Sequence, residues 1–378
     1  MEKKSTSTDL TRVTTGSGRR EFVNFPYQLY RDDKYWVPPL KMEQKDLLNT
    51  DKNPFYNNAD IELFTARRDG KVCGRIAAIE DRRYNEYHDS KTGFFGFFES
   101  INDSSVVNQL IEAASGWLKE RGLTEIMGPA NPSMMDEVGI LVDGFEYYPS
   151  ILMPYSKRYY DSLLKSEGFE KEMDLYAFRM LKEDLAYERM QRAEKIVRKR
   201  YPELQIRQVN LKKIDREVQI VREIFNSAWS GNWGFIPLTE EEFATLADDL
   251  KLILDPKLAH IAEMDGKPVA FSIALPDLNQ ALRHVKNGRL LPFGIFKLLW
   301  YQRKINRIRT ALMGVLPEYQ GRGIDALLHL RAIDNGLEEG MQSSELGWVL
   351  ESNKNMIQVA KRLGAHIEKT YRMYRKDL

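Results

Sequence analysis

The sequence is poor in cysteine and histidine, and its charges nearly cancel. Cys73 is the single cysteine among 378 residues, so no intrachain disulfide can form and a reducing cytoplasm is the expected location. The five histidines are scattered without the spacing of zinc ligands, and no metal site is predicted. A net charge of +1 gives no overall field that would attract nucleic acid, so no nucleic-acid partner is expected.

Long apolar runs are also lacking. No stretch approaches the ~20 apolar residues that cross a bilayer, so no transmembrane segment is predicted. Residues 1–19 are rich in serine and threonine and have no apolar core, which favours a flexible tail over a signal peptide. The remaining composition, 43% hydrophobic and 29% charged, is ordinary for a globular protein, and the length allows two domains.

The predicted elements occur twice in the same order. Two features of the first half recur 196 residues later. The Asp-Gly turn at Asp69 recurs at Asp265, and the helix-ending Gly168 recurs as Gly364. The predicted strands are 61–67, 71–79, 92–98, 125–127 and 173–180, then 258–263, 267–275, 308–315, 345–350 and 366–374; the helices are 106–121 and 155–166, then 324–339 and 356–363. This order predicts domains at 20–182 and 204–378, joined by a connecting helix within 183–203.

The most informative stretch runs from Val315 to Asp325, Val-Leu-Pro-Glu-Tyr-Gln-Gly-Arg-Gly-Ile-Asp. The residues before it predict a strand, and those after it have the apolar spacing of a helix. A glycine loop at a helix N-terminus directs backbone N–H groups at an anion, because the first turn has no internal acceptors and lies at the positive end of the helix dipole. A pyrophosphate would fit there. In the alternative, Gly321 and Gly323 only form a turn.

This stretch resembles the Q/R-x-x-G-x-G/A loop of GNAT acyltransferases, which follows a strand ending in V-x-P and binds the pyrophosphate of acyl-CoA. Gln320, Gly323 and the Val315-x-Pro317 sequence match the pattern. Asp325 stands where the family pattern has Gly or Ala, and its carboxylate would repel phosphate. The resemblance covers most of residues 20–378 and implies an α/β (α+β) fold of two tandem GNAT-like domains, each a mixed, splayed sheet flanked by helices, as in uncharacterised bacterial GNAT-like proteins.

The resemblance also implies the cosubstrate and its contacts. Acyl-CoA, with acetyl-CoA as the simplest case, is the expected cosubstrate of the second domain. A strand bulge at Met313, Gly314 and Val315 would turn an N–H towards the thioester carbonyl, and glycine would make such a bulge easy. The expected CoA-binding residues are Met313, Gly314, Val315, Gln320, Gly321, Arg322, Gly323 and Ile324.

Acyl transfer to an amine needs a base, and an acid can assist the leaving thiolate. Glu351, which follows the strand 345–350, is the first candidate for the base, and Glu345 is the second. Glu351 is equally well explained as a solvated or helix-entry residue beside Asn353. The tyrosine that the family uses as acid is replaced by Ala360, and a thiolate can leave without protonation. Three tyrosines are nearby in sequence: Tyr319, which is the candidate, Tyr371 and Tyr374.

The first domain lacks the glycine loop. Glu99 and Asp103, in the corresponding segment 99–105, would oppose a pyrophosphate, so no CoA site is expected there. The stretch 128–145 instead combines turn-forming and polar residues, and it provides three candidates for binding the acceptor: Asn131, Glu137 and Asp143. In the alternative, Asn131-Pro132 and Asp143-Gly144 are turn dipeptides only.

An insertion at 282–306 contains an apolar stretch, 290–300, with basic residues on both sides. Three interpretations are open: a lid over an acyl or lipid-like acceptor, a helix on a membrane surface, or a helix packed between domains or in a dimer. The flanking basic residues are Arg283, Lys286, Arg289, Arg303 and Lys304.

The sequence as a whole predicts an N-acyltransferase that moves an acyl group from acyl-CoA to an amine of a small molecule or peptide. Two alternatives remain open. One is a non-catalytic GNAT scaffold that binds a ligand or protein, which Asp325 and Ala360 favour. The other is an aminoacyl or long-chain acyl transferase of the tandem GNAT type. A homodimer is also left open.

Overall fold

The computed structural model describes residues 8–378 as strands and helices in alternation. The strands are β1 (Thr8–Arg12), β2 (Ala59–Arg68), β3 (Lys71–Asp81), β4 (Thr92–Ser100), β5 (Glu125–Gly128), β6 (Ala130–Asn131), β7 (Glu137–Val138), β8 (Ile140–Asp143), β9 (Glu170–Leu181), β10 (Leu204–Gln208), β11 (Ala259–Met264), β12 (Lys267–Pro276), β13 (Arg307–Val315), β14 (Ser343–Leu350) and β15 (His366–Asp377). The α-helices are α1 (Gly16–Leu29), α2 (Lys41–Leu47), α3 (Arg82–His88), α4 (Ser104–Lys119), α5 (Tyr160–Ser166), α6 (Tyr187–Arg200), α7 (Ile214–Trp229), α8 (Glu240–Lys251), α9 (Asn279–Leu282), α10 (Gly294–Gln302), α11 (Ile324–Glu338) and α12 (Lys354–Arg362).

The described chain forms two compact units that interleave in sequence. The first unit adds Leu282–Leu298 and Thr370–Leu378 to the chain before Leu175, and the second combines Leu175–Ala281 with Leu299–Lys369. The sequence predicts contiguous domains with the whole insertion in the second. The units differ because the C-terminal residues pair with β5, and because the Lys41 N–H donates to the Gly288 carbonyl at 2.9 Å.

In the first unit the strand order is β1-β2-β3-β4-β5-β15, and β8 also pairs with β15. Within the described residues these pairs are antiparallel except β4 with β5, which are parallel and joined through α4. Helix α4 lies on β2 and β3 and buries an apolar stripe that includes Val107, Leu110 and Leu118. Burial of such a stripe at helical spacing is what holds the helix on the sheet.

The second unit repeats this arrangement in the order β9-β14-β13-β12-β11-β10. Its parallel pair is β13 with β14, joined through α11, and α7 packs against β12 and β13. The predicted fold class, α/β with mixed sheet flanked by helices in each of two units, is confirmed. No helix within residues 8–378 has both the length and the apolar character required to cross a bilayer.

The repeated Asp-Gly turns have the same backbone conformation. Asp69 and Gly70 have φ of 52° and 74°, and Asp265 and Gly266 have φ of 50° and 76°. Positive φ at both central residues is the hairpin turn whose twist matches that of the strands beside it. The equal spacing found in the sequence therefore reflects an equivalent hairpin, β2–β3 in one unit and β11–β12 in the other.

The N-terminal region is more regular than the sequence predicts. Residues 1–7 of the predicted tail lie outside the described residues, but residues 8–12 form β1 on β2, and α1 begins at Gly16 after Thr15 caps it. Helix α1 includes Pro26, and proline disfavours the interior of a helix. It forms nevertheless because Phe22 and Phe25 become buried, and tertiary packing overrides local propensity.

Candidate functional site

The parallel strands β13 and β14 separate halfway along their length. They pair from Arg307 opposite Ser343 to Thr310 opposite Leu346, and no further pair joins these two described strands. The remaining residues, 311–315 and 347–350, form the two walls of an opening that we call the cleft.

Both strands bulge where the cleft begins. On β13, Ala311 is left without a partner on β12 between two paired residues, and on β14 residues 347–348 lie opposite the single residue Ala177. A bulge bends its strand and increases its twist. Two bulges at the same level therefore explain why the strands diverge.

The bulge predicted at Met313, Gly314 and Val315 is wrong in its position, because these three residues pair regularly with β12. Gly314 has a different role. A Cβ atom there would lie 2.8 Å from the Phe271 ring and 3.2 Å from the Ala228 Cβ, so glycine permits close approach of α7 to the strand.

The hydrogen-bonding pattern directs Met313 and Val315 towards the cleft. Leu316 donates to the Val269 carbonyl on β12, and alternation along an antiparallel pair places the polar backbone groups of Met313 and Val315 on the opposite edge. The Met313 carbonyl indeed accepts from the Trp229 indole at 2.8 Å, and the Val315 carbonyl accepts from the Gln320 side chain at 3.1 Å. The N–H groups of Met313 and Val315 share that edge.

The loop after β13 leaves the start of α11 open. Gly321 and Gly323 have φ of 72° and 80°, and Gly323 is the N-cap residue, with no described side chain accepting from the first turn. The first bond into the helix runs from the Leu327 N–H to the Gly323 carbonyl. Within residues 8–378 the amides of 321–326 have no hydrogen-bond acceptor, whereas the Gln320 amide is bonded to Pro317.

Charges around this loop are mixed. Arg322 donates to the Glu318 carbonyl at 2.9 Å, and its guanidinium lies 4.8 Å from the centre of the Tyr319 ring. Asp325 is half-buried in the first helical turn. One turn later, burial lowers the pKa of His329, although the Asp325 carboxylate opposes this shift, so His329 is neutral near pH 7. The Asp325 charge therefore remains next to the open amides.

In the first unit the N-terminus of the equivalent helix, α4, is capped by a side chain. The Asp103 side chain caps α4 by accepting from the Ser105 N–H at 2.9 Å, and it also pairs with Arg68 at 2.8 Å. Glu99 lies in β4 and not in the loop where the sequence places it. It accepts from Tyr30 and Tyr160 at 2.8 and 2.6 Å, and burial raises the pKa of its carboxyl. Side chains thus already occupy the positions where an anion would bind.

Sequence comparisons identify the family. The pattern of the Acetyltransferase (GNAT) family matches residues 218–365, which include the cleft and the loop. The chain is 37% identical to "Bacterial ceramide synthase" of Caulobacter vibrioides over 389 residues, covering all of both chains, and 38% identical to protein YghO of Escherichia coli K12 over 367 residues, covering 95% of this chain and 93% of YghO. The chain belongs to the GNAT acyltransferase family.

Solved structures agree on the doubled fold. A tandem GNAT protein from the clavulanic acid biosynthesis pathway matches with a TM-score of 0.57 at 10% identity, covering 98% of both chains. A GCN5-related N-acetyltransferase from Anabaena variabilis matches with a TM-score of 0.53 at 10% identity, covering 98% of this chain and 72% of the other. At this identity the similarity shows the fold alone. The tandem GNAT architecture implied by the glycine loop is confirmed.

Glu345, one of the two predicted bases, is buried at the closed end of the β13–β14 pair. Lys369 donates to it at 2.7 Å. Burial raises the pKa of the Glu345 carboxyl, but attraction to Lys369, Arg307 and Arg309 outweighs burial and leaves the pKa below its ordinary value. A carboxylate held charged in this way is a poor proton acceptor. Its burial and charge pairing support a structural role for Glu345, and the catalytic role stays a prediction.

Glu351 keeps its place as the candidate base. It directly follows β14 at the end of the cleft wall, is half-buried and has interactions within the protein. The neighbouring Asn353 is the N-cap residue of α12, whose side chain accepts from the Met356 N–H at 3.0 Å. The helix-entry role that was the alternative for Glu351 thus belongs to Asn353.

The tyrosines differ in their surroundings. Tyr319 is half-buried beside the loop, close enough to remain the candidate acid. Tyr374 is in the first unit, where it donates to Asp161 at 2.6 Å, and Tyr371 is fully buried there. Ala360 is fully buried in an apolar cluster of α12. The family position of the acid thus provides no hydroxyl.

The three acceptor candidates of the first unit do not form one group. Asn131 and Glu137 are paired residues of β6 and β7, whereas Asp143 is exposed at the end of β8 and pairs with Thr370. The Asn131 side chain accepts from the Phe97 N–H at 2.6 Å. This bond holds a residue with a φ of 49°, a strained conformation for a non-glycine residue. Asn131 is accordingly better explained by backbone support than by ligand binding.

The sequence predicts no role for Trp348, which lies in one wall of the cleft. The indole N–H of Trp348, in the β14 bulge, is buried and has no hydrogen-bond partner among residues 8–378. A buried donor without a partner is uncommon in proteins. Nothing in the sequence marks Trp348, because its position depends on the bulge. It is an additional donor in the cleft wall.

Proposed function

We propose that the protein is an N-acyltransferase that transfers an acyl group from acyl-CoA to the amine of a long-chain, lipid-like acceptor. The observation that carries the proposal is the open N-terminus of α11, whose amides at 321–326 have no acceptor in the described protein. Amides at the positive end of a helix dipole bind the diphosphate of a nucleotide.

The cleft fits the rest of the cosubstrate. The part of acyl-CoA between the diphosphate and the thioester then runs along the strand edge to which Val315 and Met313 direct their N–H groups. The Met313 N–H is then the donor for the thioester carbonyl, and it polarises that bond as charge develops on the oxygen.

The reaction proceeds by attack of the neutral amine on the thioester carbon. A C–N bond forms, the C–S bond breaks, and the electron pair leaves with the sulfur as the thiolate of CoA. Glu351, directly or through water, takes the proton that the amine loses. Tyr319 is the candidate that protonates the thiolate, and the thiolate of CoA can also leave without being protonated by the enzyme.

An apolar cavity adjoins β13 at Leu312. It has a free volume of about 50 Å³ between α7, α8 and the sheet, and Leu312 and Ile273 form its wall on the sheet side. Val221, Phe243 and Leu250 are among the helix residues that line it. Leu312 precedes Met313 directly, so an acyl chain bound at Met313 has an apolar surface to follow.

The acceptor class rests on similarity over the full length of the chain. The Caulobacter relative, 37% identical, is named as a ceramide synthase, and a ceramide is the amide of a fatty acid with a long-chain amino alcohol. The name of this relative supports a lipid-like amine as the acceptor, and the apolar cavity supports a fatty acyl group on the donor.

The test is a thiol-release assay with acyl-CoAs of increasing chain length. A long-chain amino alcohol, an amino sugar and a short peptide serve as acceptors, and mass spectrometry identifies the amide. We expect release that depends on the amino alcohol, with fatty acyl-CoA preferred over acetyl-CoA. Turnover with the peptide alone would overturn the acceptor class, and CoA binding without release in any mixture would overturn the enzymatic proposal.

The second candidate is a GNAT scaffold that binds a ligand without turnover. Two observations favour it: Asp325 places a charge beside the open amides, and Ala360 replaces the hydroxyl of the family acid. The same assay separates the candidates, since a scaffold would release no thiol with any acceptor.

A further inference from the structure

We propose that helix α10 and the turn before it dock the protein on an anionic lipid surface. The surface consists of Leu291, Phe293, Phe296, Leu299 and Trp300, which we call the apolar ridge. Their exposed fractions are 77, 73, 68, 53 and 62%. Large apolar side chains are normally buried, because their burial stabilises the protein. Five exposed ones within ten residues therefore indicate that a partner covers them.

The ridge stands out from the rest of the described surface. Residues 8–378 have fourteen exposed large hydrophobic side chains, and the ridge accounts for five of them. All of the exposed phenylalanine and tryptophan side chains among these residues belong to it. Phe296 and Trp300 are four residues apart in α10 and therefore share one face of the helix, and Phe293 lies in the turn directly before it.

The segment that carries the ridge has charged side chains of one sign only. No aspartate or glutamate occurs between Asp277 and Glu318, a segment that contains the whole ridge. Arg307 and Arg309 of this segment are buried, and the other basic residues are all exposed. The exposed basic residues are Arg283, Lys286, Arg289, Lys297, Arg303 and Lys304. Such a surface is complementary to acidic lipid headgroups, because Lys and Arg near a membrane surface are attracted by its negative potential.

The geometry suits an interfacial helix. Helix α10 spans Gly294–Gln302, nine residues, which is less than half of what a bilayer requires. A short helix with aromatic residues on one face and lysines beside them lies in the plane of the headgroups. The Lys304 ammonium, 5.5 Å from the Trp300 ring centre, has the arrangement of an aromatic side chain and a cation at a membrane interface.

The inference goes beyond the proposed acyl transfer and does not require it. The test is sedimentation with vesicles of phosphatidylcholine alone and of phosphatidylcholine with roughly 30% phosphatidylglycerol, a content that gives a clearly negative surface. No substrate is present. We expect binding to the anionic vesicles, about tenfold weaker binding to the neutral ones, and release by salt.

Three variants test the ridge. Phe296→Ser combined with Trp300→Ser removes two ridge residues and should weaken vesicle binding about tenfold or more, at ~25 cal/mol per Å² of apolar area. Lys297→Glu with Lys304→Glu should abolish the preference for anionic vesicles. Leu252→Ser is the matched control, because Leu252 is 83% exposed and lies outside the segment; it should bind as the unmodified protein does.

Two results would overturn the proposal. One is equal vesicle binding by the unmodified protein and the Phe296/Trp300 variant. The other is a dimer in analytical ultracentrifugation that becomes monomeric in this variant while no binding to vesicles occurs, which would make the ridge a contact between copies. Because neither readout uses acyl-CoA, failure here is distinguishable from failure of the proposed reaction.

Discussion

Asp103 and Gly323 are the N-cap residues of equivalent helices, α4 in the first unit and α11 in the second. Each helix joins the two strands of the only parallel pair among the described residues of its unit. Asp103 closes its helix with a carboxylate that is bonded to the Ser105 N–H, whereas Gly323 has no side chain and leaves its helix open. This difference supports our proposal that the diphosphate binds in the second unit.

Replacing Asp103 by alanine should lower stability without affecting CoA. Loss of an N-cap side chain costs about 1 kcal/mol, and loss of the Arg68 pair adds little because the pair is partly exposed. Urea denaturation measures the loss, and Asp103→Ser, which retains a capping oxygen, is the control. A changed affinity for CoA in Asp103→Ala would mean that the first unit also binds it.

Replacing Asp325 by asparagine should strengthen CoA binding. The substitution keeps the size of a half-buried side chain and removes a negative charge next to the open amides. At roughly 1 kcal/mol for a pair of charges about 4 Å apart in water, the gain is about fivefold. Titrations at low and high salt check the cause, because screening should reduce the gain. Unchanged affinity at low salt would place Asp325 away from the phosphates.

Lys369 should be essential to the stability of the second unit. Its ammonium is fully buried and donates to Glu345 and Glu368 at 2.7 and 2.8 Å. Lys369→Met leaves these carboxylates without that partner and should cost about 3 kcal/mol in the free energy of unfolding. The double variant with Glu345→Gln should recover part of the loss. Additive losses in this double-mutant cycle would contradict a direct interaction.

His260 should make the protein lose stability in mild acid. Burial lowers the pKa of His260 to about 4 from 6.5, and Asn335 lies 3.0 Å from its ring nitrogen. The unfolded chain therefore binds the proton more readily, so the contribution is complete above pH 6.5 and is lost as the pH falls towards 4. A difference of about 2.5 between the two pKa values, at about 1.36 kcal/mol per pKa unit, makes the loss about 3 kcal/mol. His260→Gln keeps an acceptor and should flatten the pH dependence of unfolding between these values; an unchanged slope would contradict the assignment.

The sequence predicts the elements that local periodicity determines. The Asp-Gly hairpins and the strand-loop-helix around Gly321 are found where predicted, because turn residues and apolar spacing act over a few neighbours. Helix α1 was missed because Pro26 opposes it locally and only packing against the sheet supports it. Residues 370–377 of the C-terminal strand belong to the first unit, where they pair with β5 and β8, and no local pattern reveals this long-range pairing.

The candidate site likewise has some features that the sequence predicts and others that depend on strand pairing. The loop glycines can be recognised from their spacing, but the bulge lies at Ala311 and not at Gly314, because strand register decides where a residue remains unpaired. Glu345 looks like a base in the sequence, and its partner Lys369 is 24 residues away. Trp348 has no local signal at all. These properties arise from pairing between strands, which periodicity does not encode.

The most direct test of the central claim is calorimetric titration of CoA into two variants of Gly321. This glycine has a φ of 72° with open space where a Cβ would lie, whereas a Cβ at Gly323 would be 2.9 Å from Val197 and would disturb packing. Asparagine and aspartate tolerate positive φ similarly and differ only in charge. We predict that Gly321→Asn binds CoA nearly as well as the unmodified protein and that Gly321→Asp binds about tenfold more weakly. Equal affinity of the two variants would contradict a diphosphate held by the open amides of α11.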